Sequence, residues 1–185
     1  ITHLNGKKWN QNKIAMKAYK IGHDILKWGI GKQDEFASAY GGFNVFKFTK
    51  DRVTVNPILL NRSTQTELEN NSLLFRLGGR KHSAGILNTQ IRAINKSDSD
   101  TLEALHNAKD LALKMRDVLR HNDLVSFYEI INDGWKVKKR FAKGVSNTRI
   151  DDISKVTFSN GAKALKVTGA GGGGHMYVYA EPKKH

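Results

Sequence analysis

Five glycines in six positions, Gly169-Ala-Gly-Gly-Gly-Gly174, separate two short apolar runs, Ala164-Leu-Lys-Val-Thr168 and Met176-Tyr-Val-Tyr-Ala180. Glycine costs a helix roughly 1 kcal/mol per residue relative to alanine, and it enters left-handed backbone freely. No regular element can therefore run through this stretch, and the two β-branched and aromatic runs read as strands that pair across it. Chains without Cβ atoms can turn several backbone N–H groups inward and admit a phosphate at close range; a flexible hairpin loop is the equally weighted alternative. The glycines formally match GxGxxG, but a strand-like segment follows and only 11 residues remain after Gly174. That leaves no room for the helix and second strand of a dinucleotide-binding unit. A Walker loop is excluded as well, because no Gly-Lys-Ser/Thr follows.

Upstream, helical and strand periodicities alternate. After Asn10 or Asn12, Ile14, Ala18, Ile21 and Ile25 recur at helical spacing, which predicts a helix over 12–27 with Gly22 inside it. Glycine at that point implies close packing or the loss of a larger residue. A second helix starts near Glu35 and closes at Gly41-Gly42. Phe43–Phe48 and Val53–Ile58 then read as an antiparallel pair with Pro57 at an edge or strand end. Ser63 to Asn70 predicts a short helix capped by Ser63, and Leu73-Leu-Phe75 a strand. Beyond it come helices over 82–93, after Ser97-Asp-Ser-Asp100, over Leu124 to Trp135, and over 150–158. Antiparallel strands mixed with runs of helix give an α+β class, with the domain boundary placed in 63–72.

The chain of 185 residues carries a formal net charge of +14, and residues 1–62 and 63–185 each contribute +7. The charge is thus spread rather than gathered in a basic tail, and it points to anionic partners without choosing among them. Cysteine is absent, which excludes disulfides, thiolate metal sites and thiol nucleophiles and is compatible with a reducing cytoplasm. No apolar run reaches the roughly 18 residues of a membrane helix, and the first residues lack a signal-peptide core. The expectation is a soluble, cytoplasmic protein with no membrane partner. The seven histidines show no zinc-binding spacing.

Two further stretches carry chemistry. Gly31-Lys32-Gln33-Asp34 sets a cation two residues from a carboxylate beside a helix terminus, where Asp34 could orient a hydroxyl proton and Lys32 hold phosphate. Taken alone, such a triplet is more often solvated surface or a cap. Arg80-Lys81-His82 follows Gly78-Gly79 at a predicted helix start, which can bind an anion but is usually solvated.

Together, several segments resemble the GHMP sugar and metabolite kinases, especially the branch containing D-glycero-D-manno-heptose 7-phosphate kinase. The segments are Ile30-Gly-Lys-Gln-Asp-Glu-Phe-Ala-Ser-Ala-Tyr-Gly-Gly-Phe-Asn44, Val145-Ser-Asn-Thr-Arg-Ile-Asp151 and Lys166-Val-Thr-Gly-Ala-Gly-Gly-Gly-Gly174. They resemble the family's GKQDQ-type stretch, its SNPxID element and its third glycine-rich motif, in that order. The likeness runs over nearly the whole chain and matches the later part of such kinases. The family's second motif, which binds ATP phosphates, would lie before Ile1.

This resemblance implies part of an S5-like first domain over 1–67 and a GHMP-type α+β C-terminal domain over 68–185. It implies ATP- and Mg²⁺-dependent phosphoryl transfer to a hydroxyl of a phosphorylated heptose. By position, Asp34 is the catalytic residue; Lys32, Lys81 and Ser83 bind substrate; Gly169, Gly171, Gly172 and Gly173 face phosphate. The family's magnesium-binding Glu corresponds to Gly22, so the metal ligand is unassigned, and Asp24 points elsewhere on an ideal helix. Lys81 stands where the family tends to have Arg, replacing a bidentate fork by a point charge. The partners implied are ATP, a sugar phosphate, and a complementing N-terminal segment or a homo-oligomer. A sugar-phosphate-binding pseudokinase and a basic module that binds nucleic acid or another acidic partner are the competing readings.

Overall fold

The computed structural model describes residue 6 and residues 8–78 and 83–185. The chain separates into two compact units that divide between Leu59 and Leu60. Among the described residues no helix is long and apolar enough to cross a membrane.

In the first unit, α1 (Gln11–Lys20) begins at Asn10, whose side chain accepts the Lys13 N–H at 2.8 Å. The helix then widens into a π-helical turn, Ile21–Ile25, and ends after Leu26, with Lys27 in left-handed backbone. α2 (Gln33–Tyr40) packs on α1 and stops at Gly41, whose φ of 64° suits glycine. β1 (Asn44–Phe48) and β2 (Val53–Pro57) form an antiparallel pair in which Phe46 faces Val55. Phe36 of α2 is fully buried, with its ring 5.5 Å from Phe48 and 6.2 Å from Phe46. An aromatic cluster therefore ties helix to hairpin.

The expected apolar stripe of the first helix is corrected by the packing. Ala15 and Gly22 are the buried positions, with Tyr19 half-buried between them, whereas Ile14, Ala18, Ile21 and Ile25 are exposed. Gly22 explains the choice of face. A Cβ there would lie 2.4 Å from Ile30 Cδ1, so the returning chain uses the glycine as a seat. The isoleucines are left on a neighbouring face.

In the second unit, α3 (Arg62–Asn71) leads directly into β3 (Ser72–Gly78). Its cap is Asn61 rather than Ser63: Asn61 is extended and accepts the Thr64 N–H at 2.8 Å, while the Ser63 hydroxyl donates to the same oxygen. α4 (Ser83–Asn95), α5 (Ser99–Arg120), α6 (Leu124–Lys139) and α7 (Thr148–Ser159) follow, then β4 (Ala164–Val167) and β5 (Gly174–Tyr179). Asp98, Asp123 and Asn147 cap α5, α6 and α7 through the N–H three residues on. Each such cap stabilises its helix by about 1 kcal/mol. Strands β4 and β5 pair across the glycines as expected. The sheet order β3-β5-β4 adds a partner from far upstream, with Leu73 opposite Val178. Trp135, Val145, Ile150, Leu165, Val167, Met176 and Val178 form the core on one face of this sheet. This is the expected α+β architecture.

Helix α6 runs along the free edge of β4. Asn132 donates its amide to the Lys163 carbonyl at 2.8 Å and accepts the Leu165 N–H at 3.2 Å, standing in for a neighbouring strand. Further along, Lys138 donates to the carbonyls of Val167 and Gly169. Side chains thus satisfy an edge that would otherwise present unpaired backbone. Replacing Asn132 by Leu strands one donor and one acceptor, and urea unfolding is expected to show a loss of about 1–3 kcal/mol.

Candidate active site

The glycine turn joins β4 to β5 in a conformation that only its composition allows. Gly169, Gly171, Gly172, Gly173 and Gly174 all have positive φ, from 65° to 151°. The Gly172 N–H donates to the Val145 carbonyl at 2.8 Å. A Cβ on Gly171 would lie 2.6 Å from that same carbonyl oxygen, and one on Gly172 would lie 2.7 Å from Ile86 Cδ1. The turn is therefore seated on the Gly144-Val145 backbone and is not a loose hairpin. Two glycines are required by this close approach of chain to chain, before any ligand is considered. Among the described residues, the N–H groups of Gly169, Ala170, Gly171 and Gly173 make no backbone hydrogen bond. Consecutive N–H groups of this kind are what an anion nest offers.

The seat itself is braced. Ser146 donates its hydroxyl to Asp151 Oδ1 at 2.9 Å, and Lys139 donates to the same oxygen at 2.6 Å. The Lys139 ammonium also lies 5.5 Å from the Trp135 ring centroid. The hydrogen bond from Lys139 is the main cause that holds the Asp151 carboxyl below its ordinary range; burial pushes it the other way, and the Ser146 hydroxyl adds to the lowering. Asn147 then caps α7 through the Ile150 N–H at 3.0 Å. Sequence reasoning reached Val145 to Asp151 only through a family resemblance. Lys138 and Lys139 carried no signal, because their task depends on where α6 lies against β4.

In the first unit, Lys32 precedes α2 and Asp34 lies in its first turn. The Lys32 ammonium sits 5.4 Å from the Tyr19 ring centroid and forms no ion pair with Asp34. Asp34 is exposed, and among the described residues its carboxylate has no hydrogen-bond or ion-pair partner. Glu35 beside it holds Oε2 out of solvent with no hydrogen-bond partner among the described residues. Ser83 opens α4, and Lys81 lies outside the described residues. Asp34 and Lys32 lie in the first unit, and Gly169, Gly171, Gly172 and Gly173, the glycines expected to face phosphate, lie in the second.

Magnesium fits these residues poorly. Position 22 offers no carboxylate and is filled by Ile30, and Asp24 is bonded to His23 Nδ1 at 2.8 Å. Among the described residues no three carboxylate or imidazole groups converge on a metal position.

Residues 115–185 match the family model described as GHMP kinases C terminal. Over 173 residues, 93% of its length, the chain is 33% identical to D-glycero-alpha-D-manno-heptose 7-phosphate kinase of Campylobacter jejuni, and spans 50% of that protein. A D-glycero-D-manno-heptose 1-phosphate kinase from Bacteroides thetaiotaomicron has the same fold at a TM-score of 0.70 and 27% identity, covering 99% of this chain and 49% of that one. Mevalonate kinase of L. major, solved with R-mevalonate, matches at a TM-score of 0.72 and 17% identity over 94% of this chain and 50% of its own, a likeness of fold. The second unit thus contains the C-terminal domain of a GHMP kinase. The chain corresponds to a C-terminal portion of such proteins, its relatives are sugar kinases of the GHMP type, and it spans about half the length of the heptose-phosphate kinases it matches.

Alanine at Gly171 combines a left-handed backbone with a clash against Val145. A stability loss of about 1–3 kcal/mol from the backbone strain alone is expected in thermal or urea unfolding. Asp151 sets a pH dependence. A carboxyl whose pKa is lower in the folded chain stabilises it fully above the unfolded value of about 3.9, and this contribution disappears as pH falls through the folded value. Hydrogen exchange should therefore show the Gly172 amide losing protection on acidification in the parent chain. Asp151→Asn should already be less protected at neutral pH and change less on acidification.

Proposed function

We propose that this chain is the later part of an ATP-dependent GHMP-type kinase that phosphorylates a hydroxyl of a heptose phosphate. The observation that carries the reading is the 33% identity to a heptose 7-phosphate kinase across 93% of the chain. The exposed Asp34 carboxylate on the first turn of α2, which has no partner among the described residues, supports it. In the step proposed, the sugar hydroxyl oxygen attacks the γ-phosphorus of ATP and its proton passes to Asp34. The bond from phosphorus to the bridging oxygen breaks, and ADP leaves with that electron pair. Among the described residues the N–H groups of Gly169, Gly171 and Gly173 make no backbone hydrogen bond, which supports a role toward phosphate oxygens, and the Gly172 N–H is committed to holding the turn in place. Phosphoryl transfer depends mainly on positioning and charge stabilisation, which is what a pinned turn supplies.

The relatives are about twice as long, so transfer is proposed for this chain in company with the remaining part of such a kinase. The exposed Ile14, Ile21 and Ile25 stripe, continued by Leu26 and Trp28, supports that requirement. Gly22 favours one second reading, a pseudokinase that binds sugar phosphate without transferring phosphate. No step here depends on a resident magnesium ion.

The test is isothermal titration of the chain with a heptose 7-phosphate and with Mg·ATP, joined to ADP-release assays of a protein in which this chain is completed by a GHMP first half. Sugar-phosphate binding and heptose-dependent ADP release are expected. Asp34→Asn should lower kcat by about 100-fold or more while sugar-phosphate binding persists. Binding without release in the completed protein would favour the pseudokinase. Neither binding nor release, with salt-sensitive retention of nucleic acid, would overturn the kinase reading.

A further inference from the structure

Strand alternation divides the β3-β5-β4 sheet into two faces. Leu77, Met176, Val178, Leu165 and Val167 face the core, so Arg76, His175, Tyr177 and Lys166 stand on the opposite face. Arg76 is directly opposite His175, and Lys166 is opposite Tyr177, one diagonal step from His175. Directly opposed side chains have Cβ atoms about 5 Å apart and diagonal ones about 7–8 Å. Three long or polar cation-forming side chains from three adjacent strands therefore border one volume on that face, with Arg76 and Lys166 on either side of His175.

That volume lies at the glycine-turn end of the sheet. Thr168 donates both its N–H, at 2.9 Å, and its hydroxyl, at 3.2 Å, to the His175 carbonyl, and so closes the ladder where the turn begins. Among the described residues, no carboxylate pairs with Arg76, His175 or Lys166. The nearest acid bonded to this face, Glu67, reaches the Tyr179 hydroxyl at the far end, and the Tyr177 hydroxyl is bonded to Ser72. Burial around Lys166, with no counter-charge, pushes its pKa down. A half-buried ammonium without an anion beside two exposed cationic or cation-forming groups is an incomplete arrangement.

We infer that Arg76, His175 and Lys166 form a binding site for a phosphate monoester on the sheet face beside the glycine turn. Arg76 supplies a planar fork for two phosphate oxygens, Lys166 a point charge from below, and His175 a donor between them. The inference rests on the kinase reading only for the expectation that the ester is a sugar phosphate; the anion site itself stands on the geometry of the sheet.

The test is an NMR titration of the chain at about 0.15 M salt, where diffuse charge effects are damped, with inorganic phosphate, mannose 6-phosphate and mannose as probes. Saturable shifts of the His175 ring and the Lys166 ε-methylene with both phosphates, and none with mannose, are expected. Tighter binding of mannose 6-phosphate than of inorganic phosphate would identify a sugar phosphate as the source of the anion. Arg76→Gln and Lys166→Met should each weaken binding by about tenfold. Lys166→Arg should retain it, and Lys109→Gln on the exposed side of α5 should leave it unchanged. Non-saturating shifts, or equal binding by all variants, would overturn the site and assign the effect to the overall charge. If Lys166→Met does not fold, Arg76→Gln decides, since that side chain is exposed. Phosphate binding here without phosphoryl transfer in the completed protein would refute the kinase reading alone. Transfer with an unchanged KM for the sugar phosphate in both variants would refute this site alone.

Discussion

The hydrogen bond from the Gly172 N–H to the Val145 carbonyl is the contact on which the second unit depends. It joins the turn between β4 and β5 to the connection between α6 and α7, two segments that no local propensity would bring together. Everything around it serves that approach. Glycine at 171 and 172 removes the Cβ atoms that would meet Val145 and Ile86. The Lys139–Asp151–Ser146 cluster fixes the next residue of the seat. Asn147 then starts α7, whose Ile150 fills the core beneath Val145. A turn held in this way presents its remaining N–H groups in one arrangement, which is the preorganisation that binding a charged group needs.

Helix α6 is the second organising element, because its side chains act on backbone as well as on core. Asn132 and Lys138 close the edge of β4, Trp135 fills the core between them, and Lys139 braces the seat. These roles fall on successive turns and so lie along one side of a single helix. The positive charge of the chain acquires structure from the same arrangement. Lys138 and Lys139 are committed to carbonyls and to Asp151, while Arg76, His175 and Lys166 stand on the far face of the sheet with no carboxylate partner among the described residues.

Much of the secondary structure was legible in the sequence for identifiable reasons. Glycines at 41, 42, 169 and 171–173 could only interrupt elements, Asx residues before apolar runs could only start them, and β-branched and aromatic runs marked the strands. The first helix shows where legibility ended. Ile14, Ala18, Ile21 and Ile25 have a convincing apolar period, yet α1 buries Ala15 and the π-helical turn after it buries Gly22, onto which Ile30 returns. Periodicity reports that a helix has an apolar face. It does not report which of two adjacent faces a later segment will occupy. Lys32 and Asp34 were similarly visible as a pair of charges, but the ring of Tyr19 draws the ammonium away from the carboxylate.

By itself, the sequence determined the α+β class, the hairpin across the glycine turn, the positive charge and, through three motifs, the likeness to sugar kinases. All of these follow from interactions between near neighbours or from residue types whose backbone preferences are strong. Only the tertiary structure decided that β3 inserts beside β5, that α6 seals the edge of β4, and that the glycine turn rests on Val145. Those outcomes join residues many positions apart, so they depend on which surfaces fit once the elements exist. A sequence read along the chain records the elements but not the shape that selects among their partners.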